Sequence, residues 1–161
     1  MFMNKRNYEL LVESTRDVFE TMSFMEVIQN DPITVSAEIP GIDITAVICI
    51  AGEISGMLGV HCSKQFAAEC FDMMTGGEGE APSYQQLCDT VGELANMIAG
   101  TLKRRMSSKL DLFDLSLPSI SVSSGQRLFY TGAKDDFPRL LVPFVLANGE
   151  KFYVELLYHR R

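Results

Sequence analysis

Four residues on one predicted helix carry most of the chemistry open to this chain. Between Leu87 and Met106, Asp89, Glu93, Asn96 and Gly100 recur at i, i+4, i+7 and i+11. At about 100° per residue they form one stripe of a helix. Leu87, Val91, Leu94, Ala95, Ile98 and Leu102 form a second, nearly opposite, which reads as the core-facing side. Glu93 and Asn96 therefore share a solvent-facing surface, one turn apart. A carboxylate there can pair with a cation. A carboxamide donates and accepts hydrogen bonds without carrying charge, and it is too weak a base to take a proton. On spacing alone the pair reads as an ordinary solvated helix face. Gly92 stands beside the stripe and Gly100 ends it, and glycine inside a helix costs about 1 kcal/mol relative to alanine. Either a neighbouring element packs tightly there, or small residues let another protein approach the helix. Spacing leaves both readings open.

The helix needs elements to hold it. Pro82-Ser83 opens it, with Ser83 as a plausible N-cap, and the pattern runs to about Leu110. An earlier helix is predicted from Lys5 to Met25, with Leu11, Thr15, Val18 and Met22 at helical spacing. Asn30-Asp31-Pro32 stops it. Ile33 to Ile39 alternates as a strand, Pro40-Gly41 makes a turn, and Ile42 to Ala51 and Ser55 to Ser63 are apolar or β-branched. Gly52-Glu53 suits a hairpin between them. Ser63 can cap a further helix from Lys64 to about Thr75, and Gly76 to Ala81 is a loop. Past the long helix, strands are expected at Ser119 to Ser123, Leu140 to Leu146 and Lys151 to Tyr158, with Arg127 to Tyr130 as a further candidate. Asn148-Gly149 marks a hairpin between the last two.

That order, helix then strands in each half, predicts an α+β fold over residues 1–161 as one domain. It predicts an antiparallel or mixed sheet of about six strands with long helices packed on it, in two pseudo-symmetric halves. A shift of 76 residues places Tyr8 on Tyr84, Leu11 on Leu87 and Val18 on Leu94.

Composition narrows the partners. The net charge of −7 argues against nucleic acid, which needs a basic stripe, although Lys103, Arg104 and Arg105 form a local basic patch. No run reaches the roughly 18 apolar residues of a membrane span, and residues 1–7 turn polar too soon for a secretory signal. A cytoplasmic protein with no membrane insertion is expected. Cys49, Cys62, Cys70 and Cys88 share no metal-type spacing and read as small buried hydrophobes. His61 is expected to be structural rather than a metal ligand. No P-loop, G-x-G-x-x-G or H-E-x-x-H is present, which argues against a metal-dependent hydrolase of small phosphoesters.

With these residues in hand, the sequence resembles the CheC, CheX and FliY phosphatases of bacterial chemotaxis. Their signature is Asp or Ser, three residues, Glu, two residues, Asn, and a proline about 22 residues on. Asp89, Glu93, Asn96 and Pro118 stand in that order at that spacing. The first helix, with Val18-Phe19-Glu20-Thr21-Met22, and the closing hairpin, Leu141 to Leu157, resemble the CheX type. CheC-type members carry a second E-x-x-N on the first helix. Here Asp17 and Glu20 stand at the shifted positions, no asparagine is available, and that half-site should be inactive.

The resemblance implies a protein phosphatase that hydrolyses the aspartyl phosphate of a CheY-like response regulator. Asn96 would position the attacking water and Glu93 would pair with a cation on the partner, in the family the receiver's active-site lysine. Asp89 has no chemical step but belongs to the expected partner surface with Glu93, Gly92 and Gly100. No cofactor or metal is expected in this chain; Mg²⁺ would come with the phosphorylated partner. The resemblance also suggests a homodimer with edge strands of two subunits joined in one sheet. The alternative is a non-catalytic module that docks a receiver domain or a flagellar-switch component.

Overall fold

A computed structural model describes residues 5–23, 25–106, 113–130 and 138–160. The described helices are α1 (Lys5–Ser23), α2 (Lys64–Thr75) and α3 (Tyr84–Met106). The described strands are β1 (Ile28–Gln29), β2 (Ala37–Gly52), β3 (Ile54–Cys62), β4 (Phe113–Leu115), β5 (Ser119–Tyr130), β6 (Arg139–Val145) and β7 (Lys151–Arg160). They form one sheet in the order β1-β6-β7-β3-β2, with β4 and β5 both on the far edge of β2. Every pairing is antiparallel.

The order carries the expected two-fold relation. Exchanging β1 with β5, β2 with β6 and β3 with β7 turns β1-β6-β7-β3-β2-β5 into its own reverse. The pseudo-axis runs between β3 and β7, which pair from Ile54↔Arg160 to Cys62↔Phe152. Helix α1 precedes the first set of strands as α3 precedes the second.

Alternation decides which face of the sheet the helices cover. Along β2, Ile44, Ala46, Ile48 and Ile50 are buried while Thr45 and Val47 between them are half-buried. Leu58 and Val60 of β3, Phe152 and Val154 of β7, and Val142 and Phe144 of β6 continue the same face. Leu11 and Phe19 of α1, Phe66 of α2, and Leu94 and Ile98 of α3 close over it. Phe152 is the hub, stacked on Phe66 at 4.5 Å and Phe144 at 5.2 Å between ring centroids.

On the opposite face a polar chain crosses four neighbouring strands. Thr45 Oγ1 lies 2.9 Å from His61 Nδ1, and His61 Nε2 lies 2.9 Å from Glu155 Oε2. Arg139 Nε donates to the other Glu155 oxygen. Both ring nitrogens of His61 thus lie at hydrogen-bond distance from neighbouring strands. The sheet curls so that Tyr130, at the end of β5, donates its hydroxyl to the Arg139 carbonyl at 3.1 Å.

Several local expectations change. Pro40-Gly41 is not a turn: β2 runs through it, with register shifts between Ile39 and Ile44 and Gly41 at φ 78°. Proline is tolerated at such an irregularity because no ladder donor is needed there. The bulge is stapled by Asp43, which accepts from the Lys64 and Gly125 amides at 2.9 and 2.7 Å. Ser119 to Ser123 and Arg127 to Tyr130 belong to one strand. The short β1 and β4 were not anticipated. Cys49 is exposed, unlike the other three cysteines. It sits near the β4 edge on the sheet face away from the helices. Helix α3 is described to Met106; the expected end at Leu110 lies outside the described residues. No helix among the described residues is long and apolar enough to cross a membrane.

Candidate functional site

Helix α3 is fixed at its start by a reciprocal cap. Ser83 Oγ accepts from the Gln86 amide at 3.2 Å, and Gln86 Oε1 accepts from the Ser83 amide at 2.8 Å. Its core stripe is buried at every expected position: Leu87, Val91, Leu94, Ala95, Ile98 and Leu102. That burial sets the rotation of the helix and leaves Asp89 and Glu93 exposed, with Asn96 and Gly100 half-buried.

The two glycines part company. A Cβ on Gly92 would meet Ile120 Cδ1 at 3.3 Å and Pro118 Cγ at 3.4 Å. Gly92 is buried, so its small size answers to packing inside the protein rather than to an incoming partner. Pro118, the distant member of the four-residue pattern, is the atom group pressing there. Its loop is tied to β2, since the Ser116 amide donates to the Cys49 carbonyl at 3.0 Å and Ser116 Oγ accepts from the Cys49 amide at 2.9 Å. The proline therefore buttresses α3 one residue before Glu93. Among the described residues, Gly100 has only Arg104 Nη1 near its absent Cβ, at 3.8 Å, and stays a candidate for partner approach.

Helix α1 supplies the second wall. It runs antiparallel to α3, and Arg105 fastens the two with one nitrogen on Glu13 Oε2 at 2.8 Å and another on Asp17 Oδ2. The bond to Asp17 also raises the guanidinium's pKa, making it a more permanent cation. Between the helices lies an open groove of about 570 Å³. Asp17, Thr21 and Met22 line it from α1, and Met74 from α2. From α3 come Glu93, Asn96, Met97, Gly100, Thr101 and Arg104.

The groove brings together Glu93, Asn96 and Gly100 of the expected site. Asp89 stands one turn earlier, outside the lining, with Gln85 Nε2 donating to it at 2.9 Å. Among the described residues, neither Glu93 nor Asn96 has a hydrogen-bond or ion-pair partner. The half-buried carboxamide keeps its donor and acceptor for water or a visitor. The shifted pair on α1 is differently placed: Asp17 is held by Arg105, while Glu20 lines a separate concavity with Arg16 and Glu26. Among the described residues no three His, Cys, Asp or Glu side chains gather as a metal site. Sequence reading put Arg104 in a basic patch but not in the groove, and did not anticipate the α1 wall, although Arg104 continues the exposed stripe one turn beyond Gly100.

The groove that carries this carboxylate and carboxamide is open and gives a small ligand little enclosure. The family model described as chemotaxis phosphatase CheX matches residues 44–144, well over half the chain. The chain belongs to the CheX family of chemotaxis phosphatases. Among solved structures it is similar to a chemotaxis protein from Desulfovibrio vulgaris Hildenborough, at 24% identity and TM-score 0.80 over 99% of this chain and 100% of that one. It is similar to CheX from Desulfovibrio desulfuricans, at 26% identity and TM-score 0.77 over 96% and 99%. CheX in a CheX–CheY–BeF3–Mg²⁺ complex from Borrelia burgdorferi shares the fold, at 18% identity and TM-score 0.71 over 95% and 97%. No curated protein matches the chain.

Proposed function

We propose that this protein hydrolyses the aspartyl phosphate of a CheY-like receiver domain, with α3 docked against the receiver. The observation that carries the reading is the placement of Glu93 and Asn96 side by side in an open groove, both without partners in the described chain. Family membership and the CheX–CheY complex of the Borrelia relative support the choice of partner.

In this reading Asn96 holds a water in line with the phosphorus–oxygen bond. The water oxygen bonds to phosphorus, the acyl P–O bond breaks, and the aspartate carboxylate and inorganic phosphate leave. A carboxamide suits the task because it orients water without adding negative charge beside a phosphoryl group. Glu93 pairs with a cation on the receiver, which aligns the two proteins. The Mg²⁺ that neutralises the phosphoryl group is supplied by the partner.

The test is phosphate release from a Mg²⁺-bound phosphorylated CheY-like receiver, with wild type, Asn96→Ala and Glu93→Ala compared. Wild type should accelerate release. Asn96→Ala should lose about a hundredfold or more in kcat while still binding the receiver, and Glu93→Ala should weaken both binding and turnover. Binding without acceleration by wild type would instead establish a docking module, and full activity of Asn96→Ala would remove the carboxamide from the mechanism.

A further inference from the structure

Three consecutive cations end α3, and the structure treats them differently. Lys103 Nζ lies 3.6 Å from Asp114 Oδ1. Arg105 is committed to Glu13 and Asp17. Arg104 makes no ion pair among the described residues, yet it is the one of the three that lines the groove with Glu93 and Asn96.

Its orientation is informative. A cation at a helix C-terminus ordinarily serves the dipole and the last carbonyls. Arg104 turns the other way. Its Nη2 donates to Thr101 Oγ1 at 2.9 Å, and its Nη1 lies 3.8 Å from where a Gly100 side chain would begin. The guanidinium is folded back toward Asn96, over the gap that Gly100 leaves, and is held by a neutral hydroxyl that does not cancel its charge. Among the Met22, Met74 and Met97 side chains that also line the groove, α3 thus presents the Glu93 carboxylate toward one end, the Asn96 carboxamide between and a guanidinium toward the other.

Building on the phosphatase reading above, we propose that Arg104 is a docking and specificity residue that pairs with a carboxylate on the surface of the phosphorylated receiver. A receiver that binds Mg²⁺ beside its phosphoryl group must present oxygen ligands, carboxylates among them, so the face it turns to the groove is acidic. This chain is itself acidic, at −7 overall, and would repel that face without a local cation. The phosphoryl group must stand one water from Asn96. Gly100 is one turn further along α3, about 6 Å, so the guanidinium above it meets receiver surface beside the phosphoryl group.

The experiment measures steady-state hydrolysis of the Mg²⁺-loaded phosphorylated receiver by wild type, Arg104→Ala, Arg104→Glu and Arg104→Lys at two ionic strengths. At low salt, Arg104→Ala should raise KM roughly two- to fivefold, the scale of an exposed ion pair, with kcat nearly unchanged. Arg104→Glu should raise it further, Arg104→Lys should recover most of the loss, and the differences should shrink as salt screens the pair. Unchanged KM and salt dependence in Arg104→Glu would overturn the inference while leaving the phosphatase reading intact. A loss in kcat with KM unchanged would also overturn it, by moving the guanidinium onto the reacting phosphoryl group. If wild type itself gives no acceleration, the underlying reading fails first. Circular dichroism of each variant separates these outcomes from misfolding.

Discussion

Gly92 and Gly100 are eight residues apart on one helix, yet a side chain at each would meet different surroundings. At Gly100 the space is open except for Arg104. Replacing it by alanine should stabilise the isolated protein by up to about 1 kcal/mol, since the helix loses its most flexible residue. The same substitution should slow turnover of the phosphorylated receiver if the groove needs that gap for close approach. Thermal melting and phosphate release on Gly100→Ala test both halves, and a stabilised variant with full activity would reduce Gly100 to an incidental residue. At Gly92 the outcome should reverse. Valine there would push branches into Pro118 and Ile120, and overpacking of this kind costs about 1–3 kcal/mol. Melting of Gly92→Val should show the loss directly. Spacing alone could not separate these two positions, because what distinguishes them is Pro118, which reaches Gly92 only through the turn between β4 and β5. Helix geometry alone put Glu93 and Asn96 on one side of α3, but on spacing alone that side reads as an ordinary solvated face, and the pattern with Asp89 and Pro118 is what singled the pair out. The groove they line was not legible, because its second wall is α1, brought alongside by antiparallel packing and the Arg105 clamp.

Elements were most legible where their ends carry chemistry. Ser63 and Ser83 both accept the expected amide bonds. Gly149, at φ 90°, makes the turn that joins β6 to β7. The bulge in β2 was hidden because a Pro-Gly pair reads as a turn unless a second strand is known to run beside it. The polar chain on the far face was hidden too, since Thr45, His61, Arg139 and Glu155 come from four separate strands. Glu155 is only 2% exposed. Burial alone would raise its carboxyl, but the hydrogen bonds from His61 and Arg139 outweigh burial and hold it below its ordinary value of 4.5. A carboxyl lowered in this way adds stability that is complete above pH 4.5 and is lost as pH falls through its folded value. Glu155→Ala should therefore cost about 3–5 kcal/mol at neutral pH, where a buried charge pair is broken. Its gap from wild type should narrow in denaturant titrations run below pH 4.5. A gap independent of pH would show that packing, rather than the carboxylate charge, is what the position contributes.

At the scale of the molecule the two halves are not equivalent, and the difference shows at the sheet's edges. The pseudo-two-fold exchanges β1 with β5, but β1 is two residues long and β5 twelve. A short edge strand is a weak template for pairing, whereas a long one offers a row of free backbone donors and acceptors. Along β5, pairing to β2 uses one edge only, and no described strand lies on the other. Val122 is 45% exposed on that strand and Leu117 85% exposed just before it. Proteins that keep such an edge unpaired usually blunt it with charge or proline, and the only charged residue in β5 is Arg127, near its far end. The expected consequence is a homodimer in which two copies of β5 pair and continue the sheet from one subunit into the next, leaving both α1–α3 grooves free. Light scattering at micromolar concentration should give twice the mass of the chain. Val122→Lys should shift the population to monomer without lowering helix content, because the substitution falls on the edge and not in the core. A wild type that is monomeric under those conditions would leave the long edge unexplained and remove the dimer, while Val122→Lys dimers as stable as wild type would move the interface elsewhere on the surface.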